Sequence, residues 1–466
     1  MSELPVVPPP ESARVRAAEG GRARGGLRRP RHQLGPIRVG ASTMTLRPPR
    51  LSDYRQWRDR RIANRELIEP YWYTSDLDWP QRHTGAAWVR EFLISWAEAR
   101  AGHRLPLVIE VDGTLAGQIE FCRIDPDSRT AEMSIWTDVS VARRGVALTS
   151  SAMMLDFGFA ELGLHRVIAP ISVSNHAMAQ GIPVLGFRPE ATMRLYFDAG
   201  GAPADHVLWA VTRDEQPPGG QLARLMATRS VTAAPAPADP ASARPGAATA
   251  DRGPGAAVIA SVGLRLLVWY ALQRIRRRMS DSAVRLTVAG HPDVVLRTRV
   301  PADLTAWRTA RLRNRDRIEV GRTPGAWLRR HSGSAWRREL RTGRGGLRSA
   351  AGLVLVLEVA GSYAGEFRLY DLEMFDRNAK LSGWADPGRA SAAVRSAALC
   401  AVLDYGFDSL GLRRVATEIP TADTDSAAIV AAAGFLEEGV MRNSYGPTGL
   451  RADHTLWAAL RPDGAA

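Results

Sequence analysis

AEMSIWTDVSVARRGVALTSSAMMLDFGFAELGL, residues 131–164, changes its apolar period once along its length, and that change decides the fold. The early part alternates apolar and polar residues as a strand does, and from Leu148 the positions Leu148, Ala152, Leu155, Phe159 and Leu162 recur at helical spacing. Arg143, Arg144, Gly145, Val146 and Ala147 therefore form a loop that leads into a helix. Glycine allows tight backbone geometry there, and small Ala147 allows close approach. The unpaired N–H groups and the dipole of a helix start turn toward an anion such as a pyrophosphate. Glycine before a helix is also ordinary turn chemistry, so the loop needs its context. Upstream, LVIEVDGTLAGQIEFCRI (107–124) reads as a hairpin, with Asp112-Gly113 supplying the positive φ of the turn. Downstream come a strand at 165–173, Asn175, Gly186-Phe187 and a closing hairpin.

The same order of features returns later in the chain. LDFGFAELGLHRV begins at Leu155 and LDYGFDSLGLRRV at Leu403, 248 positions on. That displacement also carries Gly117 to Gly365, Trp136 to Trp384, Gly186-Phe187 to Gly434-Phe435, Asp205-His206 to Asp453-His454 and Trp209 to Trp457. Nearer the block starts, TLRPPRLSDYRQWRDRRIANR (45–65) resembles VLRTRVPADLTAWRTARLRNR (295–315) at a displacement of 250, so a short indel separates the two regions. Register held over so many rare residues marks two duplicated or fused homologous domains.

Length agrees, since 466 residues exceed one ordinary core and suit two domains of about 150 to 200 residues. Residues 1–40, with Pro8–Pro10 and an Arg/Gly run, read as a disordered basic arm, and residues 41–215 as the first domain. Residues 216–255 include APAPADPASARPGAA and have linker composition. Residues 256–279 read as an apolar helix interrupted by Arg265 and ending in a basic cluster, and residues 285–466 as the second domain. The apolar run of that helix falls short of the ~20 residues of a membrane span. A helix packed on a domain is the first reading, a basic helix on an anionic membrane surface the second, and a true span the minority one. Only Cys122 and Cys400 are present, too few for a disulfide framework or a thiolate zinc site, and no metal site is expected. No secretory signal is read at the start, so a cytoplasmic location is expected. The net charge of +14 attracts anions such as CoA phosphates, RNA or acidic membranes, although an Arg-rich composition from a high-GC genome explains it equally well.

Taken together, AEMSIWTD, LDFGFAELGLHRV, a following Asn, LGFRPE and DHVLWAV resemble the GNAT acetyltransferases, and more narrowly the RimJ/RimL branch that acetylates ribosomal-protein N-termini. The resemblance covers about 45–212 and again about 295–460. It implies an α/β (α+β mixed) fold in each copy, a twisted mixed sheet with flanking helices whose central parallel strands splay to admit the pantetheine arm of acetyl-CoA, the co-substrate. The family loop becomes Ala142-Arg143-Arg144-Gly145-Val146-Ala147, in which Ala142 departs from the usual Gln or Arg. By this resemblance Arg143, Arg144, Gly145, Val146, Ala147 and Asn175 bind the cofactor. Glu132 is the base that takes a proton from the amine, with Glu120 in reserve. The serine of the family's Asn-x-x-Ser motif is missing at Met178, and Tyr196 is the candidate donor to the CoA thiolate.

In the second copy Glu132 falls on Lys380, Gly145 on Ala393, Ala147 on Arg395 and Asn175 on Asp423. That copy is expected to have lost turnover. The function expected is N-acetyl transfer from acetyl-CoA to a primary amine, a protein N-terminus or a small-molecule amine. The alternative is a non-catalytic tandem module that binds ribosome or RNA through the basic arm.

Overall fold

The computed structural model describes residues 33–228, 231–233, 253–279, 283–318, 328–343, 352–445 and 451–462. Its internal contacts divide the chain into two units. The first holds the described residues from 33 to Pro189 together with Phe197–Tyr270, and the second holds Glu190–Tyr196 and the described residues from Ala271 onward.

In the first unit, β1 (Leu34–Val39), β2 (Ser42–Arg47), β3 (Leu105–Val111), β4 (Thr114–Asp125) and β5 (Thr130–Thr137) pair antiparallel in sequence order. The β3–β4 turn is Asp112-Gly113 at φ 50 and 77, as its sequence predicts. Helix α1 (Tyr54–Ala63) and α2 (Gly85–Ala101) lie between β2 and β3 in the chain. Thr84 caps α2 by accepting the Ala87 N–H, and Gly102 ends it at φ 81. After β5 come α3 (Val146–Ala160), β6 (Arg166–Ser172), α4 (His176–Gly181), β7 (Arg188–Ala199) and β8 (Ala202–Thr212). Alternation along β5 sorts its side chains. Ala131, Met133 and Ile135 join the core that also holds α3 residues Ala152, Met154, Leu155 and Phe159. Trp136 turns to the opposite face and packs with Trp57 of α1, Trp88 of α2, Val108 and Leu115.

Two local features shape the sheet where it matters. At Gly117 an added Cβ would lie 2.3 Å from the Trp136 carbonyl oxygen, so only glycine permits this approach of β4 to β5. Strands β5 and β6 pair in parallel at three positions only, Thr130 with Arg166, Ala131 with Val167 and Glu132 with Ile168. Beyond Glu132 the two strands part, and β6 continues its pairing with β8 as far as Ser172.

The second unit repeats this order. Strands β9 (Arg285–Val288), β10 (His291–Thr298), β11 (Leu353–Val359), β12 (Ser362–Glu373) and β13 (Asn378–Ala385) pair antiparallel in turn. Helix α7 (Leu304–Arg313), α8 (Gly333–Gly343), α9 (Ala392–Asp404), β14 (Arg414–Pro420), α10 (Thr424–Ala432), β15 (Leu436–Tyr445) and β16 (Arg451–Leu460) follow the same succession as their counterparts in the first. Here too the parallel pair, β13 with β14, holds at three positions, ending at Lys380 with Ala416.

Several sequence expectations shift. Strand β1 lies inside 1–40, the stretch read as a disordered arm, because Ile37 and Val39 bury in the core across the ladder from β2. Helix α5 (Gly220–Thr228) lies inside the 216–255 linker, where Leu225 is buried and Asp156 accepts the Gln221 and Leu222 N–H groups. The rest of the arm and most of the linker fall outside the described residues. Helix α3 begins at Val146 rather than Leu148, since helical geometry starts directly after the left-handed Gly145. The helix expected at 256–279 is α6 (Ala256–Met279), and among the described residues no helix is long and apolar enough to cross a membrane.

Candidate functional site

The loop that sequence placed before the helix is built as a helix start without a cap. Gly145 stands at the N-cap position at φ 84 and makes no side-chain cap. The first N–H groups of α3 are consequently left for an external acceptor. Arg143 and Arg144 are exposed, and Arg143 also adopts a left-handed φ of 61. Left-handed residues on either side of Arg144 turn the backbone here, and a helix start of this kind suits phosphate.

The loop is anchored from behind by α1. Asp138, at the end of β5, accepts from the Ser140 N–H at 2.8 Å and from Asn64 Nδ2 at 2.9 Å, and Arg60 lies 3.3 Å away. Asn64 in turn accepts the Val139 N–H at 2.8 Å. Burial alone would raise the Asp138 carboxyl, but the hydrogen bonds from Ser140 and Asn64 and the charge of Arg60 hold it below the ordinary range. A depressed carboxyl stabilises the fold above its unfolded pKa near 3.9, and that contribution is lost as pH falls through the lower folded value. Asp138→Ala is expected to cost about 1–2 kcal/mol, read as a lower Tm above pH 5. The difference from the parent should shrink when the melt is repeated in strong acid.

Glu132 is the last β5 residue paired with β6, so its side chain stands where the two strands begin to part. By alternation it shares the face of Ser134 and Trp136, opposite the α3 core. Arg123 Nη1 lies 3.7 Å from Glu132 Oε2, which accepts no hydrogen bond among the described residues. Glu120, the reserve base, is held by Arg104, whose Nε and Nη2 each donate at 2.8 Å. Both carboxylates thus face an arginine, Glu120 at hydrogen-bond distance from Arg104 and Glu132 at 3.7 Å from Arg123. Across the ladder from Glu132, burial and the nearby carboxylates push the Cys122 thiol well up, so a thiolate nucleophile has no support here.

Asn175 caps α4, its Oδ1 accepting the Met178 N–H at 3.2 Å, at the end of β6 on the far side of the splay. Tyr196 stands elsewhere. It lies on β7 within Glu190–Tyr196, the stretch grouped with the second unit, and Arg414 covers its ring at 5.8 Å. Glu132 lies on β5 and the 143–147 loop follows that strand, while Asn175 follows β6, the two strands that part in the first unit. The clamp of Asn64 and Asp138 behind the loop escaped the sequence reading; NR at 64–65 and D138, each repeated in the second block, were the available signal.

The corresponding loop of the second unit differs. Helix α9 begins at Ala392 and is capped by Ser391, whose hydroxyl accepts the Val394 N–H at 3.3 Å. No left-handed glycine opens it, and Arg395 stands where Ala147 stands in the first unit. Lys380, at the Glu132 position, is held by Glu418 at 3.0 Å, and that carboxylate keeps the ammonium charged. Among the described residues no group of three or more His, Cys, Asp or Glu is placed to hold a metal ion.

Residues 43–188 match the family model described as an acetyltransferase (GNAT) domain. YdaF of Bacillus subtilis (strain 168), named provisionally as a ribosomal N-acetyltransferase, is 29% identical over 101 residues, which are 22% of this chain and 55% of that protein. YoaA of the same organism, named as an N-acetyltransferase, is 26% identical over 102 residues, 22% of this chain and 58% of YoaA. The chain thus spans little more than half the length of these curated relatives. The solved structure of Mycobacterium smegmatis RimJ in complex with CoA-disulfide is 33% identical, with 44% of this chain and 98% of that one covered and a TM-score of 0.42.

Proposed function

Because this chain belongs to the GNAT acetyltransferases, we propose that its first unit moves the acetyl group of acetyl-CoA directly to a primary amine, with Glu132 as the base. The observation that carries this reading is the three-position parallel pairing of β5 and β6, which stops at Glu132 and leaves the strands open beside the uncapped start of α3. The pyrophosphate of CoA rests on the N–H groups after Gly145, with Arg143 and Arg144 adding charge-assisted contacts. Asn175 contacts the cofactor from the β6 side, and backbone groups of β5 released from the ladder hold the pantetheine arm.

Direct transfer needs a neutral amine, whereas an α-amino group has a pKa near 8 and lysine near 10.4, so most acceptors arrive protonated. Glu132 takes that proton, directly or through one water. The amine nitrogen then bonds to the thioester carbon, the C–S bond breaks, and CoA leaves as a thiolate that is protonated to the free thiol. That proton comes from solvent, because Tyr196 belongs to the stretch grouped with the second unit. The acceptor is a protein N-terminus or a small-molecule amine, and the protein acts in the cytoplasm. Release of free CoA across a panel of N-terminal peptides and small amines tests the activity. A silent panel together with retained affinity for RNA replaces it with the non-catalytic ribosome- or RNA-binding module.

Residues 285–466 form a second GNAT-fold copy that no longer binds acetyl-CoA in this reading. Ser391 satisfies a donor that phosphate would need, Arg395 crowds its approach, and Lys380 cannot accept a proton while paired with Glu418. Calorimetric titration of the full chain with acetyl-CoA is expected to give one site per chain. Two equivalent sites overturn the assignment.

A further inference from the structure

Arg61 of α1 is a buried charge with no carboxylate in salt-bridge contact among the described residues. Its residue is only 2% exposed, and its guanidinium lies between two indoles, 4.2 Å from the Trp72 ring centre and 4.6 Å from that of Trp136. Nη2 donates to Gln118 Oε1 at 3.1 Å, while Nε and Nη1, both buried, find no acceptor among the described residues. Glu91 and Glu120 act on it only through space. Glu91 accepts from Gln118 Nε2 at 3.2 Å, and Glu120 is taken by Arg104. Burial, only partly offset by these two carboxylates, pushes the Arg61 pKa down to about 10. A buried guanidinium with two idle donors is costly, and cation–π contact with the indoles supplies no acceptor for them.

The second unit holds a carboxylate in the corresponding pocket, where two arginines share it: Arg299 Nε donates to Glu366 Oε1 at 2.6 Å. Arg311 takes the place of Arg61, and Trp384 that of Trp136. At the Gln118 position stands Glu366, which accepts from Trp384 Nε1 at 3.3 Å as Gln118 accepts from Trp136 Nε1 at 2.9 Å. Arg311 Nη2 lies 3.7 Å from the Glu366 carboxylate. The second unit thus places a carboxylate near the arginine of this pocket, shared with Arg299, and the first unit places the neutral amide of Gln118 there.

We propose that Arg61 is a carboxylate-binding site of the first unit that selects acceptor peptides bearing an acidic side chain near their amino terminus. The inference rests on the acetyl-transfer reading for the direction in which the acceptor lies. Trp136 follows Glu132 by four residues on the same strand face, roughly 13 Å at strand rise. An extended peptide advances about 3.3–3.6 Å per residue, so an amine at Glu132 places the third or fourth side chain at Arg61. The carboxylate takes up Nε and Nη1, and the Trp72 indole turns aside to admit it.

The test uses two peptides that differ only in Glu or Gln at the third and fourth positions. Two readouts are taken on the full chain, CoA release and tryptophan fluorescence on titration with CoA present. The parent is expected to favour the Glu peptide at least tenfold in kcat/KM, mostly through KM. The paired exchange Glu91→Gln with Gln118→Glu moves a carboxylate onto Arg61 without changing net charge or the Gln–Glu hydrogen bond. It is expected to raise Tm and to reduce that preference to within about threefold, the loss following from a site already occupied. A raised Tm with the preference intact makes Arg61 purely structural and overturns the proposal, as does equal use of both peptides by the parent. Fluorescence-detected binding of the Glu peptide alone, without CoA release, upholds the site and removes the transfer reaction.

Discussion

Glu132→Gln is expected to lower kcat by about 10²- to 10⁴-fold while leaving the Kd for acetyl-CoA within about twofold of the parent. The amide keeps the shape and burial of the carboxylate but cannot take a proton. The strands on either side pair through backbone groups, so the splay at Glu132 with Ile168 survives the change. The 143–147 loop is anchored by Asp138 and Asn64, neither of which touches residue 132, so cofactor binding should not register the substitution. Steady-state kinetics across pH sharpen the test, because the amide variant should recover part of its rate at high pH, where the amine is already neutral. Unchanged kcat at pH 7 removes Glu132 from its role and moves attention to Glu120, whose release from Arg104 would then have to be explained.

Gly145→Val is expected to weaken acetyl-CoA binding about tenfold to hundredfold with the fold retained. The backbone stands at φ 84, where a β-branched residue costs about 1–3 kcal/mol. Space is not the obstacle, since a Cβ there would meet only Val39 Cγ1 at 3.8 Å. The loop therefore relaxes to another φ rather than unfolding the unit, and binding must restore the strained geometry that aims the N–H groups. Calorimetry on the variant reads the loss directly. An unchanged Kd means that phosphate is held elsewhere and the loop is an ordinary turn. The Ala393 region of the second unit offers a natural comparison, because helix α9 starts there without a left-handed residue and caps itself with Ser391.

Particular residues show how much could be read in advance. The Asp112-Gly113 turn, the helix read from Leu148 and the strand read at 165–173 follow from turn chemistry and apolar period, which are local properties, and the structure sets the latter two at Val146–Ala160 and Arg166–Ser172. Strand β1 was missed because Leu34–Val39 sits among glycine, proline and arginine, and its burial comes from pairing with β2 and with residues 231–233 and from packing into the core. Helix α5 was missed for a similar reason, as Asp156, 65 positions earlier, supplies the acceptor for its first N–H groups. At the candidate site, Glu132 was proposed from resemblance, and the glycine-opened helix start at Gly145 was legible from order. The anchoring role of Asp138 was not, because Asn64 and Arg60 reach it across more than 70 positions.

By itself the sequence determined the two repeated blocks, the strand-to-helix loop at 143–147 and the loss of key residues in the second block, since each is a matter of residue type at fixed spacing. Tertiary structure alone decided where β5 leaves β6, that Glu120 is hydrogen-bonded to Arg104 while Glu132 lies 3.7 Å from Arg123, and that Arg61 is buried with two donors idle. These depend on which side chains meet across the sheet and how far water is excluded there. Energies set by contact and desolvation have no signature along the chain until it folds.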